Sequence, residues 1–181
     1  MKLVKTVFKK IDTFGWEKVG GTLLVLCFFA TIGGAAFFQY VLDQPPCFLC
    51  YVQRVPYWIG GLLGALSLMK RISLKTRRKF LILAALVLFV NMFISAYAVG
   101  VEQHWWEGPA VCSVSETLTT EEINAVLQGT AKPIVPCNKV RWTLFDLPYL
   151  TLAFFNVFIC LFMTIILSLL VRYKKAWQKK K

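Results

Sequence analysis

Four long apolar segments, basic residues gathered in alternate loops, and loop cysteines confined to the opposite side predict an all-α membrane protein, a four-transmembrane-helix bundle. Hydrophobic residues make up 57% of the 181-residue chain, too large a share for a soluble domain of this size. A bilayer-spanning helix needs about 20 mostly apolar residues. Residues 19–42, 48–69, 80–101 and 144–171 meet that requirement, the second least cleanly because Gln53 and Arg54 interrupt it. Spans and loops consume nearly the whole length, so residues 1–181 read as a single integral membrane domain. The first apolar run exceeds the ~7–15-residue core of a signal peptide and reads as an uncleaved span.

The net charge of +12 invites a nucleic-acid partner, but its distribution argues against one. Lys and Arg cluster in residues 2–18, 70–79 and 172–181. With four spans these stretches fall on one side of the bilayer. The loops on the other side, 43–47 and 102–143, carry Asp43, Glu102, Glu107, Glu116, Glu121 and Glu122 against Lys132, Lys139 and Arg141. This is the positive-inside pattern. It predicts cytoplasmic termini and outward-facing loops, with the basic clusters also suited to touch anionic lipid headgroups.

In chain order, span one carries Gly33-Gly34, small residues that let helices approach closely, together with Cys27 and Gln39. Asp43-Gln44-Pro45-Pro46 makes a short turn, and its prolines suit the first turn of the next helix. Gly60 and Gly64 in span two read as a packing seam. Asn91 in span three and Asn156 in span four are polar at membrane depth and read as interhelical hydrogen-bond partners. In the long outer loop, Thr119-x-x-Glu122 resembles a capping box, and Ile123, Val126 and Leu127 share one face. A short amphipathic helix near the membrane surface is expected there, ended by Gly129. Tyr51, Tyr57, Trp58, Trp105, Trp106, Trp142 and Tyr149 fall near the interfaces and read mainly as an aromatic belt.

Chemistry concentrates in the cysteines. Cys27 and Cys160 lie inside spans and read as inert apolar residues. Cys47, Cys50, Cys112 and Cys137 all map to the outer side, where disulfides are permitted. Four thiols allow three pairings. Cys47 with Cys50 is the local choice, and Cys112 with Cys137 would then close the long loop as a staple worth about 3 kcal/mol. The other pairings stay open. Closing the small C-x-x-C ring saves little chain entropy, whereas a helix start stabilises a thiolate, so that pair reads as redox-active. At about 100° per residue, Cys47, Cys50 and Arg54 fall within an arc of roughly 60°. A cation there favours a Cys50 thiolate and can donate hydrogen bonds to a carbonyl-bearing acceptor. A Cys₄ zinc site is disfavoured because Cys112 and Cys137 lack C-x-x-C spacing, and no metal is expected. Haem attachment would want His where Tyr51 stands. The rival from another class is a non-enzymatic membrane scaffold with two structural disulfides.

Cys47-Phe48-Leu49-Cys50-Tyr51-Val52-Gln53-Arg54 resembles the signature of the DsbB family, bacterial inner-membrane disulfide bond formation proteins. Gly100-Val101-Glu102, Gly108-Pro109 before Cys112, and Pro136-Cys137 followed by Trp142 resemble that family's second outer loop. The resemblance implies a quinone-dependent oxidoreductase of the inner membrane that reoxidises a periplasmic, DsbA-like thioredoxin-fold partner. It implies Cys112 as the site of the mixed disulfide and Cys137 as the thiol that passes to Cys47. Cys50 would be the thiolate facing ubiquinone or menaquinone, and Arg54 would polarise that acceptor. The partner is strongly oxidising, at about −120 mV, so a quinone-type sink is needed to drive the relay. One departure stands out: many members carry a His beside the Tyr near the outer end of span three, and here Ala98 follows Tyr97. His104 is the one remaining candidate for that quinone contact, against a solvated interfacial position beside Trp105 and Trp106.

Overall fold

The protein is described by a computed structural model that covers residues 15–112, 136–138, 143, 147 and 150–178, with only the backbone for 111 and 173–178. Four long helices carry the fold: α1 (Trp16–Tyr40), α2 (Phe48–Leu68), α3 (Leu74–Glu102) and α4 (Leu152–Gln178). A 3-10 turn, Ala110–Cys112, follows α3. The amphipathic helix expected around residues 119–129 lies outside the described residues.

Side-chain caps set where three of the helices start. Cys47 is extended, and its sulfur accepts the Cys50 N–H at 3.4 Å, which starts α2 directly after Pro45-Pro46. Ser73 caps α3 by accepting the Thr76 N–H at 3.3 Å, so this helix begins inside the basic loop, ahead of its apolar run. Thr151 accepts the Phe154 N–H at 3.2 Å, and α4 begins at Leu152, eight residues later than hydropathy placed the span. Each cap satisfies an N–H that the first helical turn leaves unpaired. Arg77 is buried and returns to the end of α2, donating to the carbonyls of Met69 (2.6 Å) and Ile72 (3.0 Å). A cation at those carbonyls is favoured by the helix dipole.

Neighbours in sequence pack together: α1 on α2, α2 on α3, and α3 on α4, with lighter contacts from α1 to α3 and α4. The first two helices meet closely at one end. A Cβ on Gly21 would lie 2.2 Å from Ser67 Oγ, and one on Gly64 would lie 2.7 Å from Leu24 Cβ. The tight seam is therefore Gly21 against Gly64. Gly33 and Gly34, expected to serve that purpose, have nothing within 4 Å of where a Cβ would sit. Leu81, Ala84, Leu88 and Leu167 are fully buried beside this seam. Large apolar side chains such as Leu26, Phe29, Phe93 and Phe162 point outward, as they would toward lipid. Three helices, α1, α3 and α4, are long and apolar enough to cross a membrane, which marks a membrane protein.

Candidate active site

The opposite end of the bundle opens into a cavity of about 350 Å³. Cys47, Cys50, Arg54 and Cys137 all line it. The single face inferred for Cys47, Cys50 and Arg54 is thus a wall of one chamber. The sulfurs of Cys47 and Cys50 are 2.8 Å apart, as free thiols. Cys112 and Cys137 form a disulfide with Cα atoms 5.0 Å apart, within the range such bonds require. The Cys137 N–H also donates to the Cys112 carbonyl at 3.3 Å. This disulfide sits on Leu49, Ala98, Val101 and Ala153, with Cys47 packed against the same cluster. Both of its cysteines are buried, Cys112 at 3% exposure.

The donors at this helix start favour Cys47 as the thiolate. The Cys50 thiol bonds the Cys47 sulfur, the Cys50 N–H adds a second donor, and together they pull Cys47 down to about 7 against burial. Sequence reasoning assigned the thiolate to Cys50. That assignment weighed the Arg54 charge and had no way to see which sulfur caps the helix.

Arg54 is held from two sides. Its Nη1 donates to Gln39 Oε1 at 3.0 Å, and its guanidinium carbon lies 5.2 Å from the Tyr51 ring centroid. A hydrogen bond from α1 and a cation–π contact fix a charge that would otherwise be free to turn toward the headgroups.

Beneath the thiols lies a polar floor. Asn156 Nδ2 donates to Gln53 Oε1 (2.9 Å) and Ser95 Oγ (2.7 Å), while the Tyr57 hydroxyl donates to Asn156 Oδ1 and touches the Cys160 sulfur at 3.2 Å. Asn91 Nδ2 donates to the Gln53 carbonyl at 3.2 Å. Asn91 and Asn156 do join helices, as expected. Asn156 also faces the cavity, as do Gln53 and Tyr57. Their spacing carried a signal, since Gln53 and Tyr57 lie three and seven residues after Cys50 and so share its face. Gln39 could not be found this way, because its partner sits on another helix.

On the far wall, Ala98 is buried and lines the cavity. His104 does not reach it. This residue adopts φ 58° directly after α3, where its N–H donates to the Val101 carbonyl (3.2 Å) and the next N–H, of Trp105, donates to Gly100 (2.9 Å). That pattern is a Schellman cap with His104 in the left-handed position usually given to Gly. Its side chain is exposed and is not among the cavity-lining residues. Trp106 packs over Gly100, stacks on Tyr97 at 5.9 Å and donates its Nε1–H to the Tyr97 carbonyl at 3.0 Å. A Cβ at Gly100 would lie 1.9 Å from that indole. The aromatic turn therefore fastens the end of α3, in addition to any place in a belt.

The chamber suits a flat, carbonyl-bearing molecule with an apolar tail. Ile32, Phe38, Leu49, Phe155 and Ile159 supply apolar wall, and Arg54, Gln53, Tyr57 and Asn156 supply polar groups. Gly34, Ala30 and Ala35 line the α1 side, so the empty space beside Gly34 is chamber volume. Among the described residues, no group of three or more His, Cys, Asp or Glu side chains gathers as a metal site would require.

A family model described as disulfide bond formation protein DsbB matches residues 18–170. Disulfide bond formation protein B 1 of Pseudomonas aeruginosa is 29% identical over 139 residues, covering 69% of this chain and 80% of its own length. Disulfide bond formation protein B 2, from a second strain of that species, matches with the same figures. No solved structure matches the chain.

Proposed function

The chain belongs to the DsbB family of membrane oxidoreductases of disulfide bond formation, and we propose that it reoxidises a periplasmic, DsbA-like thioredoxin-fold dithiol at the expense of a membrane quinone. One observation carries this reading: Cys47, Cys50, Cys137 and Arg54 converge on a single chamber at the end of the bundle. Two structural staples would need no such void, and no cation fixed beside it. We place α2 as the fourth span, both termini in the cytoplasm and the chamber at the periplasmic face of the inner membrane. The distribution of Lys and Arg supports that orientation.

The placement of the sulfurs supports the following relay. A partner thiolate attacks Cys112 and releases Cys137. Cys112 is buried, so it must become exposed before an incoming sulfur can align. Cys137 is released on the chamber side, where Cys47 packs in the same cluster. It attacks the Cys47–Cys50 disulfide at Cys47, and Cys50 leaves as the thiolate. Cys112 then exchanges back onto Cys137 as the partner departs oxidised, leaving Cys47 and Cys50 as the dithiol beneath a closed Cys112–Cys137 bond. The structure has that same combination of free and bonded cysteines. A quinone in the chamber supplies a two-electron, two-proton acceptor. Arg54 offers its guanidinium to the carbonyl oxygen of such an acceptor, held in place by Gln39 and Tyr51. Cys47, the more acidic thiol, would ionise first as the dithiol gives two electrons and two protons to that acceptor and the Cys47–Cys50 bond forms.

The test is steady-state loss of quinone absorbance by purified protein supplied with a reduced thioredoxin-fold donor. Wild type is expected to consume both, and Cys50→Ser neither. Normal turnover by Cys50→Ser would sink the proposal. A second arm labels thiols from outside intact cells after reduction. Labelling of Cys112 and Cys137 only after permeabilisation would refute the orientation.

A further inference from the structure

Glu102 ends α3 against the thiols and has no part in the relay described above. It lines the same chamber as Cys47, Cys50 and Cys137. Thr151, itself fully buried at the start of α4, hydrogen-bonds its carboxylate. The other oxygen, Oε2, is buried with no hydrogen-bond partner among the described residues. An orphaned carboxylate oxygen in a buried site is costly unless something uses it. Its charge acts on both Cys47 and Cys50 and disfavours the Cys47 thiolate. A residue kept only to sharpen the thiols would carry the opposite charge.

Resting on the quinone-linked reading, we propose that Glu102 is the proton carrier of the chamber, taking the Cys47 thiol proton through water and releasing it toward the reduced acceptor. The balance is simple. Oxidation of the dithiol breaks two S–H bonds and forms one S–S bond, and two electrons and two protons pass to the quinone, which leaves as the quinol. Glu102 handles one of those protons. It becomes the acid as the Cys47 thiolate forms, and returns to carboxylate once the proton has moved on. The tether to Thr151 holds one oxygen still and leaves Oε2 as the mobile-proton site. Among the described residues, the other titratable or charged groups lining the chamber are Cys47, Cys50, Arg54 and Tyr57, all from α2 and its cap. From α4, Asn156 lines the chamber and does not titrate, and Cys137 is in a disulfide. Arg54 carries a fixed charge, leaving Glu102 as the carboxylate that can cycle a proton beside Cys47.

Two readouts on Glu102→Gln decide the matter. The first needs no quinone: the pH profile of Cys47 alkylation in the pre-reduced protein, followed by peptide mass mapping. Loss of the carboxylate is expected to move its midpoint down by about one pH unit. The second is single-turnover oxidation of the pre-reduced protein by ubiquinone-1. There the variant is expected to be slower by about tenfold or more, despite its larger thiolate fraction. Its rate should also lose the fall on acidification that protonation of Glu102 gives wild type. An unshifted midpoint, or a shifted midpoint with an equal or faster rate, overturns the proposal. So does a rate slowed equally at every pH, with the fall on acidification unchanged. If Glu102→Gln does not fold, Glu102→Asp carries the test. It keeps the charge and should keep the midpoint but slow the rate, and an unchanged rate contradicts the proposal. Absence of quinone reduction by wild type would refute the quinone-linked function instead, and the alkylation arm would still report the coupling.

Discussion

The two ends of the bundle are built on opposite rules. Where Gly21 meets Gly64, the helices leave no room for a methyl group, and Leu81, Leu88 and Leu167 fill what remains. At the cysteine end, Gly34, Ala30 and Ala35 are just as small, yet they border about 350 Å³ of open chamber. Small residues thus do two jobs in one helix: near its start they close a seam, and two turns or more later they hold a wall back. Between the two ends lies the floor of Gln53, Asn156, Ser95, Tyr57 and Cys160, which ties α2, α3 and α4 together. In an apolar medium, packing and interhelical hydrogen bonds drive helix association. The tight end and the floor supply both, and the open end can remain a site.

Substitutions should separate these regions. The largest effect is expected from Arg54→Met, which removes the one fixed cation that lines the chamber among the described residues and strands Gln39. Quinone-linked kcat/KM should fall by roughly 100-fold, about 2.7 kcal/mol, with the melting temperature in detergent little changed. Gly64→Val should do the reverse, destabilising the fold by about 2–3 kcal/mol through overpacking against Leu24 and the Gly21 backbone. Its residual folded fraction should keep wild-type turnover. Gly34→Leu sharpens the contrast further. It meets no neighbour, so stability should hold, but it fills chamber volume and should raise the KM for quinone by about tenfold. A comparable stability loss from Gly34→Leu and Gly64→Val would erase the distinction between seam and wall. Asn91→Leu, at the floor, should cost about 1 kcal/mol by unfolding, because it removes a hydrogen bond to the Gln53 carbonyl and a buried polar group together. The smallest effect is in pH. Alkylation of Cys47 should be half-maximal near pH 7, where an ordinary thiol reacts half-maximally near ~8.5. Below that midpoint the sulfur holds its proton and reactivity falls. An ordinary midpoint would show that the cap does not favour the thiolate.

The helices and the cysteine constellation were legible in the sequence because they depend on local spacing. Apolar run lengths located four helices, and Cys47, Cys50 and Arg54 declared a common face by helical periodicity. What escaped depended on neighbours far along the chain. Gly33-Gly34 looked like a packing motif, and only the position of the other helices shows that Gly34 borders a void. His104 looked like a ligand by proximity to α3, but its backbone is needed to turn the chain. Glu102 read as one more outer-loop charge, because nothing local reveals that its oxygen is buried beside two thiols. Hydropathy also counts apolar residues ahead of Thr151, whereas α4 begins at Leu152, behind that capping hydroxyl.

The central claim is that the dithiol lining the chamber gives its electrons to a quinone there. The most direct measurement mixes pre-reduced protein, without any partner, with one equivalent of ubiquinone-1, quenches with acid and maps the remaining thiols. One Cys47–Cys50 disulfide should form for each quinone consumed, and none in Arg54→Met on the same timescale. Quinone consumed without that disulfide, or a dithiol that persists beside unreacted quinone in wild type, would contradict the claim.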